Sequence, residues 1–331
     1  SVANMKYMFY GCNNLISVNL SSFDTLLVID MRYMFYGCFS LSSINLSNFN
    51  TSLVTYMNRM FYNCNSLKEI DLSNFDTSSL ISMGNMFYGC NNLISINLSN
   101  FDTLKVTYMN NMFQNCHSLF SLDLSNFNTS IVNRMEYMFS GCYNLTFINI
   151  SNFDTSSVTN MEYMFNECYS LTSIDVSNFN TSNVINMDNM FNSCINLITL
   201  NLSNFNTLKI KSMVNMFYNC ISLIYLNIYS FKITDENNPN INNTFFGLNS
   251  SIVYCINDNY TKYYLLNQDN IFICSDSCYN QSNIIKDVSI QLCLYPYDIE
   301  TDIINTYDIS EYTSYTNYLT DKTEYITSYQ E

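Results

Sequence analysis

The residues of this 331-residue chain that could do chemistry are thirteen cysteines, one histidine and a regular set of aspartates. Nine of the cysteines, Cys12, Cys38, Cys64, Cys90, Cys116, Cys142, Cys168, Cys194 and Cys220, follow one another at a constant step of 26 residues. A thiol can be a nucleophile, a metal ligand, half of a disulfide or a small apolar core group. A nucleophile needs a stabilised thiolate beside a base. His117 follows Cys116, but that cysteine belongs to the periodic column, so His117 reads as a solvated turn residue. A metal site needs close pairs such as C-x-x-C, and no repeat holds two cysteines. Equivalent atoms of stacked coils would sit roughly 5 Å apart, which a disulfide could span, yet nine is an odd number. A buried apolar wedge is the reading that remains. With only six glycines and no glycine-rich phosphate loop, the inventory holds no catalytic set; neither an enzyme nor a bound cofactor is expected.

The acidic columns keep the same step. Asn19, Asn45, Asp71, Asn97, Asp123, Asn149, Asp175, Asn201 and Asn227 form one ladder, in which an asparagine always separates two aspartates. A turn column runs Asp24, Asn50, Asp76, Asp102, Asn128, Asp154, Asn180, Asn206. Oxygens of this kind could hold calcium, or more simply cap the backbone of the following turn.

These residues need elements to position them. Phe23 and its eight successors to Phe231, and Leu15 and its eight successors to Leu223, hold the same 26-residue step. Such self-similarity marks a stacked-repeat architecture. Met83, Met86, Phe87 and Cys90 fall at i, i+3, i+4, i+7, the spacing of one helix face. In the stretch 93–98, Ile96 and Leu98 would face one side of a short strand and Ser95 and Asn97 the other. Column 11 carries Gly11, Gly37, Gly89 and Gly141, or Asn63, Asn115 and Asn219, residues suited to the left-handed conformation that ends a helix. The expected fold is an α/β solenoid of 26-residue coils, each a short helix and a short strand, that bury their apolar faces by stacking.

The segment L-x-x-I-x-L-S-x-F resembles the leucine-rich repeat, with phenylalanine at the asparagine position. Together with the preceding M-F-x-x-C-x-x-L it is similar to the 26-residue variant of BspA-like surface proteins of bacteria and protists. The resemblance covers residues 1–231. It implies a leucine-rich-repeat-like solenoid on a cell surface that adheres to host cells, matrix proteins or other microbes, and hence an extracellular location. An intracellular protein-interaction scaffold is the alternative.

Composition bounds the partners. Only 12% of residues are charged and the formal net charge is −15. That argues against nucleic acid, which needs clustered Lys and Arg, and against an anionic membrane surface. No apolar run is long enough to insert in a membrane, and no signal peptide precedes the first repeat. Because Ser1–Met5 are already in register, the sequence reads as part of a longer chain. Three segments are expected: a nine-coil solenoid over 1–231, a degenerate coil and cysteine-bearing cap over 232–293, and an acidic Tyr/Thr-rich tail or stalk over 294–331. Cys255, Cys274, Cys278 and Cys293 lie outside the repeat, and four cysteines allow three disulfide pairings; a metal site is the other reading of this set. Disulfides would imply an oxidising compartment.

For recognition, the strand face presents mostly Ser, Asn and Asp. Phe147, Tyr225 and Tyr229 interrupt it and are the candidate ligand-binding residues, for a protein or glycan. The tyrosine columns, Tyr7, Tyr10, Tyr33, Tyr36, Tyr62, Tyr88, Tyr137 and Tyr163, would either contact a ligand or stack on one another. Asn144, Asn242, Asn249, Asn259 and Asn280 head glycosylation motifs.

Overall fold

The computed structural model describes residues 2–233, 238–249 and 252–256 and the backbone of a strand at 272–274. The chain winds as a parallel β-solenoid. Eight three-residue strands mark one side: β1 Glu69–Asp71, β2 Ser95–Asn97, β3 Ser121–Asp123, β4 Phe147–Asn149, β5 Thr199–Asn201, β6 Tyr225–Asn227, β7 Val253–Cys255 and β8 Phe272–Cys274. All pairings are parallel, with Ile70 opposite Ile96 and Leu200 opposite Leu226. On the other side, single parallel bridges link Asn4 to Asp30, then Tyr56, Ser82 and onward to Asn240. Every step is 26 residues until the last, from Ser212 to Asn240, which carries two extra residues, as does the step from Tyr225 to Val253.

The expected helix is absent: among the described residues no α-helix forms, so the fold is all-β rather than α/β. Its burial pattern is nonetheless present, since Met83, Met86, Phe87 and Cys90 are fully buried. The reason lies in where the amides go. Met86, Tyr88 and Cys90 donate to carbonyls three residues back (Met83, Asn85 and Phe87), while Asn85, Phe87 and Gly89 donate to Asn110, Met112 and Gln114 of the next coil. A helix would spend every amide within its own segment; here alternate amides tie adjacent coils together. The path requires two left-handed residues per coil. One is column 11 (Gly89, φ +70°), as its composition suggests; the other is column 7 (Tyr7, Tyr33, Arg59, Asn85, Asn111, Tyr137, Tyr163, Asn189, Asn215), with φ between 54° and 63°. Left-handed backbone costs a side-chain-bearing residue roughly 1–2 kcal/mol, which the inter-coil bonds and the burial they permit offset.

Polar ladders satisfy the rest of the backbone. Asn74 and Asn126 donate from Nδ2 to the carbonyls of Leu46 and Leu98 in the preceding coil, each at 3.0 Å. An asparagine ladder thus runs through the stack, one residue before the phenylalanine. The threonine of each F-[DN]-T is buried between coils. Thr103 Oγ1 donates to the Asn128 carbonyl at 2.7 Å and accepts from the Asn128 amide at 2.8 Å. Phenylalanines from Phe9 to Phe245 stack in one continuous column, ring centroids 5.2–6.0 Å apart.

Candidate functional site: the strand face of coils four to seven

Eight of the nine column cysteines supply no reactive group; Cys12, in the first coil with no coil before it, is exposed rather than the buried wedge expected. Each thiol from Cys38 to Cys220 points into the stack and donates, at 3.1–3.3 Å, to the carbonyl of the phenylalanine 29 residues before it. Burial pushes the thiols up, Cys38 to about 11 and Cys90, Cys142 and Cys220 to about 12. A thiol held protonated and out of water is neither nucleophile nor ligand. His117 is half-buried rather than fully solvated. It stacks on Tyr143 at 4.2 Å, and Tyr143 on Tyr169 at 4.8 Å; burial lowers its pKa, partly opposed by the Glu167 carboxylate.

The carboxylates of both ladders are occupied locally. Asp71 Oδ1 accepts the amide of Ser73 at 2.9 Å and Asp76 Oδ1 that of Ser78 at 3.0 Å, a turn bond made equally by Asn45 and Asn50 at their positions. These hydrogen bonds hold both acids below the usual carboxylate range. Among the described residues no group of three or more His, Cys, Asp or Glu lies close enough to hold a metal ion.

The surface is distinctive where the repeat departs from itself. The residue after the column leucine is Ser42, Lys68, Ile94, Phe120, Thr146 and Thr172 in successive coils. Ile94 and Phe120 are 52% and 58% exposed, and Phe147 in β4 is also 58% exposed. An open groove of about 470 Å³ runs between this apolar row and the polar one beside it, lined by Ile94, Ser118, Phe120, Asn144, Thr146 and Ser170. Phe120 is held in place from its backbone: its carbonyl accepts from the Thr146 amide at 2.9 Å and from Thr146 Oγ1 at 3.1 Å. Burying side chains of this size stabilises a complex by about 1.5–3 kcal/mol each, while the hydroxyls and the Asn144 amide would fix orientation.

The structure does not bring the three candidate residues together. Phe147 belongs to this patch, whereas Tyr225 and Tyr229 are half-buried three coils further on. Tyr229 lines a second groove of about 530 Å³ with Asn204, Phe205, Asn206, Leu208, Ser230 and Lys232. Ile94 and Phe120 were not singled out from the sequence. Isoleucine is common in that column, at Ile16, Ile94, Ile198 and Ile224, so only the aromatic ring of Phe120 departs from it, and the leucine beside it hides that in an ordinary apolar pattern. Of the cap cysteines, Cys255 is buried with its thiol free, and its backbone pairs with that of Cys274 across β7 and β8. Cys278 and Cys293 lie outside the described residues, as do the tail and the motifs at Asn259 and Asn280. Among the described residues no helix is long and apolar enough to cross a membrane.

A family model matches residues 1–94, 67–147, 85–174 and 141–253, described as a Mycoplasma protein of unknown function, DUF285. The chain belongs to the DUF285 family. None of the curated proteins compared with it matches. Among solved structures it is similar to a leucine-rich repeat protein from Bacteroides ovatus, at 16% identity and a TM-score of 0.35, over 76% of this chain and 58% of that one. A chain of the Drosophila Toll–Spatzle complex matches at 15% identity and a TM-score of 0.30, over 70% of this chain and 36% of that one. This DUF285 chain thus spans less than two thirds of either protein's length.

Proposed function

We propose that this DUF285 protein is a non-catalytic recognition module of the BspA-like kind, displayed outside the cell, which adheres to a protein or glycan on a host or microbial surface. The observation that carries the reading is the exposed pair of phenylalanines, Phe120 and Phe147, in adjacent coils of the strand face. A solenoid needs only small polar residues on its solvated strand face, yet Ile94 and Phe120 stand exposed along one groove and Phe147 stands exposed next to Thr146, which lines it. Exposed apolar clusters rimmed by polar groups are the usual mark of a contact surface, and repeat solenoids bind through such extended faces. A disulfide-bearing cap and glycans on surface asparagines belong to the same extracellular reading. One motif, Asn144-Leu145-Thr146, lies on the groove itself, so a glycan there would cover it.

The test is binding of the purified full chain, made in a host without N-glycosylation, to host-type cells and immobilised matrix proteins. The comparison is the double variant Phe120→Ser/Phe147→Ser. Saturable binding that the variant weakens by about tenfold or more, as hot-spot residues do, supports the reading. Binding unchanged in the variant moves the contact away from this groove. No binding to any such surface favours the intracellular scaffold.

A further inference from the structure

The wall of the solenoid opposite the strands carries an ordered charge pattern. Number the coils from the one containing Asn4. Lys6 and Arg32 then occupy one column in coils one and two, and Glu136, Glu162 and Asp188 the same column in coils six, seven and eight. Coils three, four and five carry neutral Asn58, Gly84 and Asn110 in that column, with Arg59 one residue beyond Asn58. The column is thus cationic at one end, neutral in the middle and acidic at the other, in a chain with twelve Lys and Arg against twenty-seven Asp and Glu.

These charges sit among the tyrosines. Lys6 Nζ lies 4.7 Å from the centre of the Tyr7 ring, and Arg59 lies over Tyr33 while donating to its hydroxyl at 2.7 Å. At the acidic end the Tyr137 hydroxyl donates to Glu162 Oε1 at 3.3 Å. The rings stack along the wall, Tyr10 on Tyr36 at 4.8 Å, Tyr36 on Tyr62 at 4.6 Å, Tyr62 on Tyr88 at 4.3 Å and Tyr137 on Tyr163 at 4.6 Å. Asp30 and Arg134 are each paired within the wall, to Arg32 and Glu136. Glu167 adds a further negative charge to the acidic end.

The spacing is symmetric. Lys6 and Asp188, and Arg32 and Glu162, are each equidistant in coils from a point between Gly84 and Asn110, as are neutral Asn58 and Glu136. We propose that this wall is the contact of an antiparallel twofold dimer, a second copy of the chain lying on the first with its axis between coils four and five. A twofold interface must be self-complementary, and this pattern is: Lys6 and Arg32 face the acidic end of the partner, and the neutral middle lies on the axis. Tyrosine and arginine are the side chains enriched in such contacts. Glu136 is only 4% exposed and is held by Arg134 within its own chain, so it lies beneath the contact rather than in it.

The experiment is sedimentation of the full chain at about 50 mM and 500 mM NaCl, with carbodiimide cross-linking of the same samples. Lys6 and Asp188 are seven coils, roughly 34 Å, apart within one chain, so a zero-length link between them forms only between two chains. The expected result is a dimer at low salt that yields this link and weakens about tenfold or more at high salt, where the Debye length falls to a few ångströms. Arg32→Glu and Glu162→Arg should each weaken it about tenfold, and the double exchange should restore it to within about threefold. The link depends on no variant folding correctly. A chain that stays monomeric at low salt, a dimer without the link, or a double exchange as weak as the single ones would each overturn the proposal.

Discussion

Two sides of each coil use the same backbone spacing and differ in what they tolerate. The turn wall, residues 82–90 and their equivalents, repeats Met, Met, Phe and Cys almost without exception, because each side chain fills a slot bounded by the coils above and below. The strand side repeats only its inward residues, such as Ile96 and Leu122, and lets its outward ones vary from Ser121 to Phe147 in adjacent coils. Identity in a solenoid column therefore reports packing. Variation in an exposed column reports what the surface meets.

The sharpest break of this contrast is chemical. Cys116 and Cys12 occupy one column, but Cys116 is fully buried, its pKa raised by burial, while Cys12 is exposed. In the native protein Cys12 should react with a thiol reagent at the rate of an open peptide thiol, and Cys116 only through unfolding. For a fold of ordinary stability that separates the two rates by a factor on the order of 10³ or more. Mass-spectrometric labelling with and without urea measures it, and comparable native rates would show that the core is open.

Next in size is the phenylalanine stack. Phe113 lies between Phe87 and Phe139 at 5.7 and 5.9 Å. Phe113→Ala should cost about 3–5 kcal/mol in urea unfolding, against within about 0.5 kcal/mol for Phe120→Ser on the exposed strand side. Equal losses would erase the distinction between the two sides.

The threonine ladder gives a smaller effect by a different route. Thr103→Val keeps the shape and removes the hydroxyl that serves both the carbonyl and the amide of Asn128. Leaving such groups unpaired in a buried place should cost about 1–3 kcal/mol, read from the same unfolding curves.

How much of this was legible in the sequence follows from the same contrast. The 26-residue register, the buried columns, the left-handed residue at Gly89 and the local bonding of Asp76 could all be read, because each is fixed by side-chain type at a constant step. The helix could not be told from the observed turns. Both bury i, i+3, i+4 and i+7, and they differ only in whether Phe87 donates within its coil or to Met112. The second left-handed position was hidden because Tyr33 and Tyr137 are not residues that usually signal one. The asparagine ladder at Asn74 was not expected, because the residue beside it, Phe75, holds the column that marks the repeat. At the site, Phe147 was visible as an exception in a polar column, while Phe120 was masked by Leu119 beside it.

The smallest expected effect tests whether the turn carboxylates are structural or reserved for a ligand. Asp76 has its pKa lowered by the hydrogen bonds from Ser78. A carboxyl whose folded pKa is depressed stabilises the fold above its unfolded pKa, near 3.9, and loses that contribution as pH falls through the folded value. The column already places asparagine at 50 and 128, where Oδ1 accepts the same amide bond. Asp76→Asn should therefore leave stability at pH 7 within about 0.5 kcal/mol of the parent and flatten only the part of the acid unfolding curve below about pH 4 that this group contributes. A larger loss at neutral pH would mean that the negative charge itself has a task on this face, which asparagine in the neighbouring coils could not perform.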